Sequence, residues 1–187
     1  MWPWGHLAVG YLLYSLGVRA RTRSSPDGWN VLALALGTQF PDLVDKPLAW
    51  WFGVLPGGRT LAHSLLVLVP AVLVLWLVAR RWGAGPRVTA FGVGWLSHLF
   101  GDALVPFLVG SRRELAFLLW PVTPTVVYDS QPSLLWHLAN ISLSPVFIAE
   151  LALGGLVVVL WLVDGFPLLS DLLAFVRRRR ERAGRSG

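Results

Sequence analysis

The sequence predicts an all-α integral membrane protein, a bundle of about five helices with a short amphipathic helix near its C-terminal end. Of its 187 residues, 55% are hydrophobic and only 14% charged, and the mean hydropathy of +0.61 lies outside the soluble range. Residues 64–79 and 144–163 are long apolar runs, close to the roughly 20 residues that cross a hydrocarbon core of about 30 Å. Eleven Trp and thirteen Pro suit indole anchors at the headgroups and Pro-bounded loops.

Taken in order, residues 4–18 and 28–41 are apolar but short, so each is expected to be tilted, partly re-entrant or packed against neighbours. The run 64–79 follows as a firm span. Residues 88–110 form a third, interrupted by His98 and Asp102 and rich in small residues, which predicts a central place in the bundle. Residues 111–143 read as an interfacial loop with short helical pieces, and 144–163 as the last span. After the break at Asp164-Gly165-Phe166-Pro167, residues 168–176 read as a surface helix and 177–182 as a basic tail. This gives one transmembrane domain, 1–176, and a cytoplasmic tail, 177–187. Met1-Trp2-Pro3-Trp4 lacks the basic start of a secretory leader, so no cleaved signal is expected.

The net charge of +6 is not read as a nucleic-acid surface, because the basic residues sit at the ends of apolar runs. With five crossings, Arg19, Arg21, Arg23, Arg80, Arg81, Arg87 and the Arg of the tail share one side, leaving Lys46, Arg59, Arg112 and Arg113 on the other. The positive-inside rule then puts the N-terminus outside and the C-terminus in the cytoplasm.

On that topology His6, Asp42, Asp45 and His63 lie at the outer end, where His98 and Asp102 join them. The last two are i, i+4 and share one helix face. Imidazole and carboxylate together are ligands for a divalent ion. The absence of Cys excludes thiolate sites and favours zinc first, with manganese or iron as alternatives. Each residue also has a structural reading. His63 and His6 suit an interface, Asp42 and Asp45 a helix cap after Pro41, and Asp45 could pair with Lys46 or Arg59. Asp102 is the exception, because a carboxylate inside an apolar span costs about 2.5–3.5 kcal/mol and must be paired, protonated or metal-bound. One of Asp42 and Asp45 is expected to support a ligand instead of being one. His137 and Glu150 are weaker candidates.

At these residues the chain resembles the LexA-binding, inner-membrane-associated family of metal-dependent hydrolases, itself distantly similar to zinc-dependent phospholipase C and single-strand nucleases. Gly5-His6-Leu7 resembles the family's Gly-His-Leu, Pro41-Asp42-Leu43-Val44-Asp45 its paired-Asp element, and Ala62-His63-Ser64-Leu65 its Thr-His-Ser-Leu. Ser97-His98-Leu99-Phe100-Gly101-Asp102 is similar to its Ser-His-x-x-x-Asp, and Leu119-Trp120-Pro121 to the Leu-Trp-Pro that comes after it. The chain departs from the pattern at Gly58, where a further His is common, at Lys46, near another common His, and in an Asp pair spaced one residue wider than the tighter form.

The resemblance implies a metal site of His6, Asp42, His63, His98 and Asp102, hydrolysing an ester or phosphoester, plausibly of a lipid, at the outer face. Asp45 or Asp42 would be the general base, and Arg59, retained from the pattern, would bind a phosphate oxygen. The rival expectation is a non-enzymatic membrane protein whose polar cluster is a structural metal site or an ion or proton pathway. Oligomeric state is not legible.

Overall fold

A computed structural model describes residues 1–126 and 142–183, and among these every regular element is helical. They are α1 (Pro3–Thr22), α2 (Gly28–Trp50), α3 (Leu65–Ala79) continued by a 3-10 turn at Arg80–Trp82, α4 (Gly85–Leu108), a 3-10 segment at Arg112–Leu119, α5 (Pro145–Val163) and α6 (Leu169–Ala183). Helix starts follow ordinary capping chemistry. Asp27 accepts from Trp29 and Asn30 N–H at 3.1 Å, Ser64 from Leu66 N–H at 3.1 Å, and Ser144 from Phe147 N–H at 3.2 Å. Pro at the first or second position opens α1, α4 and α5, where a missing N–H costs nothing.

Among the described residues three helical spans are both long and apolar enough to cross a bilayer: Leu65–Trp82, Gly85–Leu108 and Pro145–Val163. In the α4 span 44% of the window is buried, against 6% in each of the others, so α4 is the centre and α3 and α5 turn apolar side chains outward to lipid. Contacts agree, since α4 packs on α1, α2 and α3, while α5 packs on α1. The α2–α4 crossing is backbone on backbone. A Cβ at Gly94 would lie 2.2 Å from Leu34 O, and one at Gly37 2.1 Å from Phe91 O, a close approach that only glycine permits. Beside it Phe40 meets Phe91 and Trp95 edge-on at 5.3 and 4.7 Å.

The first two helices are longer than expected, 20 and 23 residues. Residues after 41 were expected to lie beyond the helix, but α2 continues through Pro41 and Pro47 to Trp50. Asp42 and Asp45 are therefore inside it and not at its end. Proline removes one rung of the hydrogen-bond ladder, and a neighbouring helix can use the freed backbone. The C-terminal helix also runs on, through residue 176 to Ala183, so no structural boundary separates it from the basic tail. Asp171 ties α6 to the start of α2 by accepting from Gly28 N–H at 3.1 Å.

At the end of the bundle where α1 finishes, Asp164, just beyond α5, is buried and accepts from Tyr11 Oη and Ser15 Oγ at 2.7 Å and from Arg19 Nε at 2.8 Å. Burial alone would raise its pKa, but the hydrogen bonds from Ser15, Tyr11 and Arg19 outweigh it and hold the carboxyl below its usual range. Asp164→Asn should therefore lower stability by about 2–3 kcal/mol. In a thermal melt this reads as a loss of roughly 5–10 °C.

Candidate metal centre

Five of the expected residues converge at the opposite end of the bundle. His6 lies in the first turn of α1, Asp42 on α2, His63 in the loop before α3, and His98 and Asp102 on α4. His63 Nε2 stands 3.2 Å from His98 Nε2, 3.5 Å from Asp42 Oδ1 and 3.7 Å from Asp102 Oδ2. His98 Nε2 is 3.8 Å from both carboxylate oxygens. Tetrahedral donors about 2.0–2.2 Å from an ion stand roughly 3.3–3.6 Å from one another, and the observed separations bracket that range.

The tautomers follow from the groups behind the rings. His98 Nδ1 is 2.7 Å from Thr38 O, and His63 Nδ1 is 2.8 Å from Asp45 Oδ2. A carbonyl and a carboxylate only accept, so both Nδ1 atoms are assigned the proton and both Nε2 atoms present lone pairs. Asp42 Oδ1, His63 Nε2 and His98 Nε2 thus face one another, an arrangement able to hold a cation. His63 and His98 are fully buried, and Asp102 nearly so.

His6 approaches from the other side. Its ring stacks on that of His98 with centroids 3.7 Å apart, and its Nε2 is 3.4 Å from Asp102 Oδ1. His6, His98 and Asp102 form one triad able to hold an ion, and Asp42, His63 and His98 another that shares His98. His6 Nδ1 is buried without a hydrogen-bond partner.

Asp45 does not face these atoms. It is fully buried behind His63, where it accepts from Thr60 and Ala62 N–H at 2.8 Å, from His63 N–H at 3.3 Å and from His63 Nδ1–H at 2.8 Å. Its oxygens are engaged by the returning loop and by the His63 ring, and of the two expected general bases it is Asp42 that faces the centre. Burial alone would depress the His63 pKa, but the carboxylates of Asp42 and Asp45 hold it above the usual value. A proton and a metal ion therefore compete for Nε2. Asp45→Asn should weaken metal binding by about 10–100-fold, as loss of such an outer carboxylate does, measurable by chelator competition.

The ion pairs also differ from expectation. Lys46 and Arg59 were candidate partners of Asp45. Instead Lys46 Nζ pairs with Asp42 Oδ2 at 2.5 Å and Arg59 Nε with Asp102 Oδ2 at 2.9 Å. Trp95 Nε1 donates to Ala62 O at 2.5 Å and so pins the His63 loop to α4. Thr38, whose carbonyl fixes His98, was not foreseen, since a backbone acceptor leaves no mark in residue type. Glu150 lies outside the centre; it is buried on α5 and accepts from Trp2 N–H at 3.0 Å, tying α5 to α1. His137 lies outside the described residues.

Fold and site together define a helical membrane protein with a buried His/Asp cluster able to hold a metal ion. The family model of the YdjM inner membrane protein matches residues 1–182, and the chain belongs to that family. No curated protein and no solved structure matches it.

Proposed function

We propose that the chain is a membrane-embedded, metal-dependent hydrolase of an ester or phosphoester, with α1 to α5 all crossing the membrane and the centre facing outward. The observation that carries this is the pair of His/Asp triads, Asp42, His63 and His98 on one side and His6, His98 and Asp102 on the other, that share His98. The orientation is supported by Arg19, Arg21, Arg23, Arg80, Arg81 and Arg87, which sit at helix ends remote from the centre.

His98 would hold the ion with Asp42 and His63 or with His6 and Asp102; nitrogen and oxygen ligands without sulfur favour zinc, with manganese or iron as alternatives. When bound, such an ion supplies a water of lowered pKa and polarises the scissile group. Asp45 holds His63 in the metal-binding tautomer and Thr38 O does the same for His98. Arg59, half-exposed beside Asp102, is placed to bind an anionic oxygen of the substrate.

Polar groups deeper in the bundle argue against an ion or proton pathway. Thr38 Oγ1 donates to Ala35 O and Ser97 Oγ to Gly94 O, both at 2.8 Å, so each hydroxyl closes on its own helix. Tyr11 and Ser15 are taken up by Asp164.

The test is hydrolysis of p-nitrophenyl esters and phosphoesters by the purified protein in nanodiscs, before chelation, after it, and after zinc is restored. Turnover should vanish on chelation and return with zinc. Stoichiometric metal without metal-dependent turnover of any substrate would leave a structural site and end the enzyme reading.

A further inference from the structure

Both carboxylates that face the centre carry a half-exposed cation. Lys46, 37% exposed, sits on Asp42, and Arg59, 38% exposed, sits on Asp102. Lys46 is the sole lysine of the chain. The segment between the two cations projects Trp51, 79% exposed, with Phe52 and Val54, each 68% exposed. Its feet are close together, because a Cβ at Gly58 would lie 3.2 Å from the Trp50 ring, whose face lies 5.8 Å from Lys46 Nζ. An apolar finger thus rises from a cationic base at the mouth of the centre. Such a finger suits the boundary between headgroups and acyl chains.

Charge points the same way. Asp42, Asp45 and Asp102 are matched by Lys46, Arg59 and the N-terminal ammonium, which lies 3.3 Å from Asp102 Oδ1, so a divalent ion would leave the centre with two net positive charges. A guanidinium and an ammonium beside a positive centre recognise the oxygens of a phosphate, and the aromatic finger recognises an apolar tail.

We infer that the mouth formed by Lys46, Arg59 and the Trp51–Phe52 finger binds the phosphate headgroup of a lipid, with Lys46 and the finger setting specificity. This deepens the proposed hydrolase reading and rests on it for the chemical step after binding, since it makes the substrate a lipid phosphoester.

One lysine makes the test direct. The zinc-loaded protein is placed in dodecyl maltoside micelles, which carry no phosphate, alone or with added dioleoyl phosphatidic acid, and treated with a neutral amine-acetylating reagent. Acetylation of Lys46 is followed by peptide mass mapping. Phosphatidic acid should slow it roughly tenfold, the size of one charge-assisted contact. Cholesteryl hemisuccinate, which brings negative charge without phosphate, and inorganic phosphate should not. Trp51→Ser with Phe52→Ser should abolish the protection by phosphatidic acid, and the wild-type lipid series stands whether or not that variant folds. No protection by phosphatidic acid, or equal protection by hemisuccinate or inorganic phosphate, overturns the inference. Labelling needs no turnover, so missing protection with hydrolysis intact sinks this inference alone, and protection without hydrolysis sinks only the hydrolase reading.

Discussion

Replacing His98 with alanine is expected to remove bound metal from the purified protein, weakening affinity by more than about 100-fold, because losing even an outer-shell partner costs 10–100-fold. The reason is geometric. His98 Nε2 belongs to both possible triads and lies within 3.2–3.8 Å of the facing atoms of His63, Asp42 and Asp102. No neighbour can replace it, because the ring is fully buried and pinned from behind by Thr38 O. Asp102→Ala should do the same and also strand Arg59. Metal analysis of both variants, with helical content checked by circular dichroism, reads the result; undiminished metal in both would eliminate the centre.

The second large effect lies away from any ligand. Gly94→Ala would set a methyl 2.2 Å from Leu34 O, and backbone cannot rotate aside. The helices α2 and α4 must separate by on the order of 1 Å to restore van der Waals distance. That shift carries Asp42 away from His98 and Asp102, beyond the roughly 0.5 Å that a preorganised site tolerates. Stability should fall by about 3 kcal/mol and metal affinity by at least about tenfold. Gly154→Ala is the matched control, since nothing lies within 4 Å of its added carbon, and it should change stability by less than about 0.5 kcal/mol. Equal behaviour of the two variants would refute the account of the α2–α4 contact.

The spans later seen as α3, α4 and α5 were legible because length and apolarity alone define them, and the central place of α4 followed from His98, Asp102 and its small residues. The extents of α1 and α2 were not, because Ser15, Gln39 and Asp42 interrupt the apolar pattern that marks a span. Their polar atoms are satisfied within the fold, Ser15 by Asp164 and Asp42 by Lys46. Which of Asp42 and Asp45 faces the centre was also closed to sequence reasoning. They stand one helical turn apart, and the choice is made by the returning backbone of Thr60, Ala62 and His63, which claims Asp45. Pairing of Lys46 with Asp42 is an i, i+4 contact that spacing alone permits, whereas Arg59 reaches Asp102 only because the loop folds back onto α4.

Among the described residues every converging side chain precedes residue 103, and α5 supplies none of them. During synthesis the constellation can therefore assemble while α5 is still emerging. That segment then arrives as a fastener, latching onto Trp2 at one extremity through Glu150 and onto Arg19 at the other through Asp164.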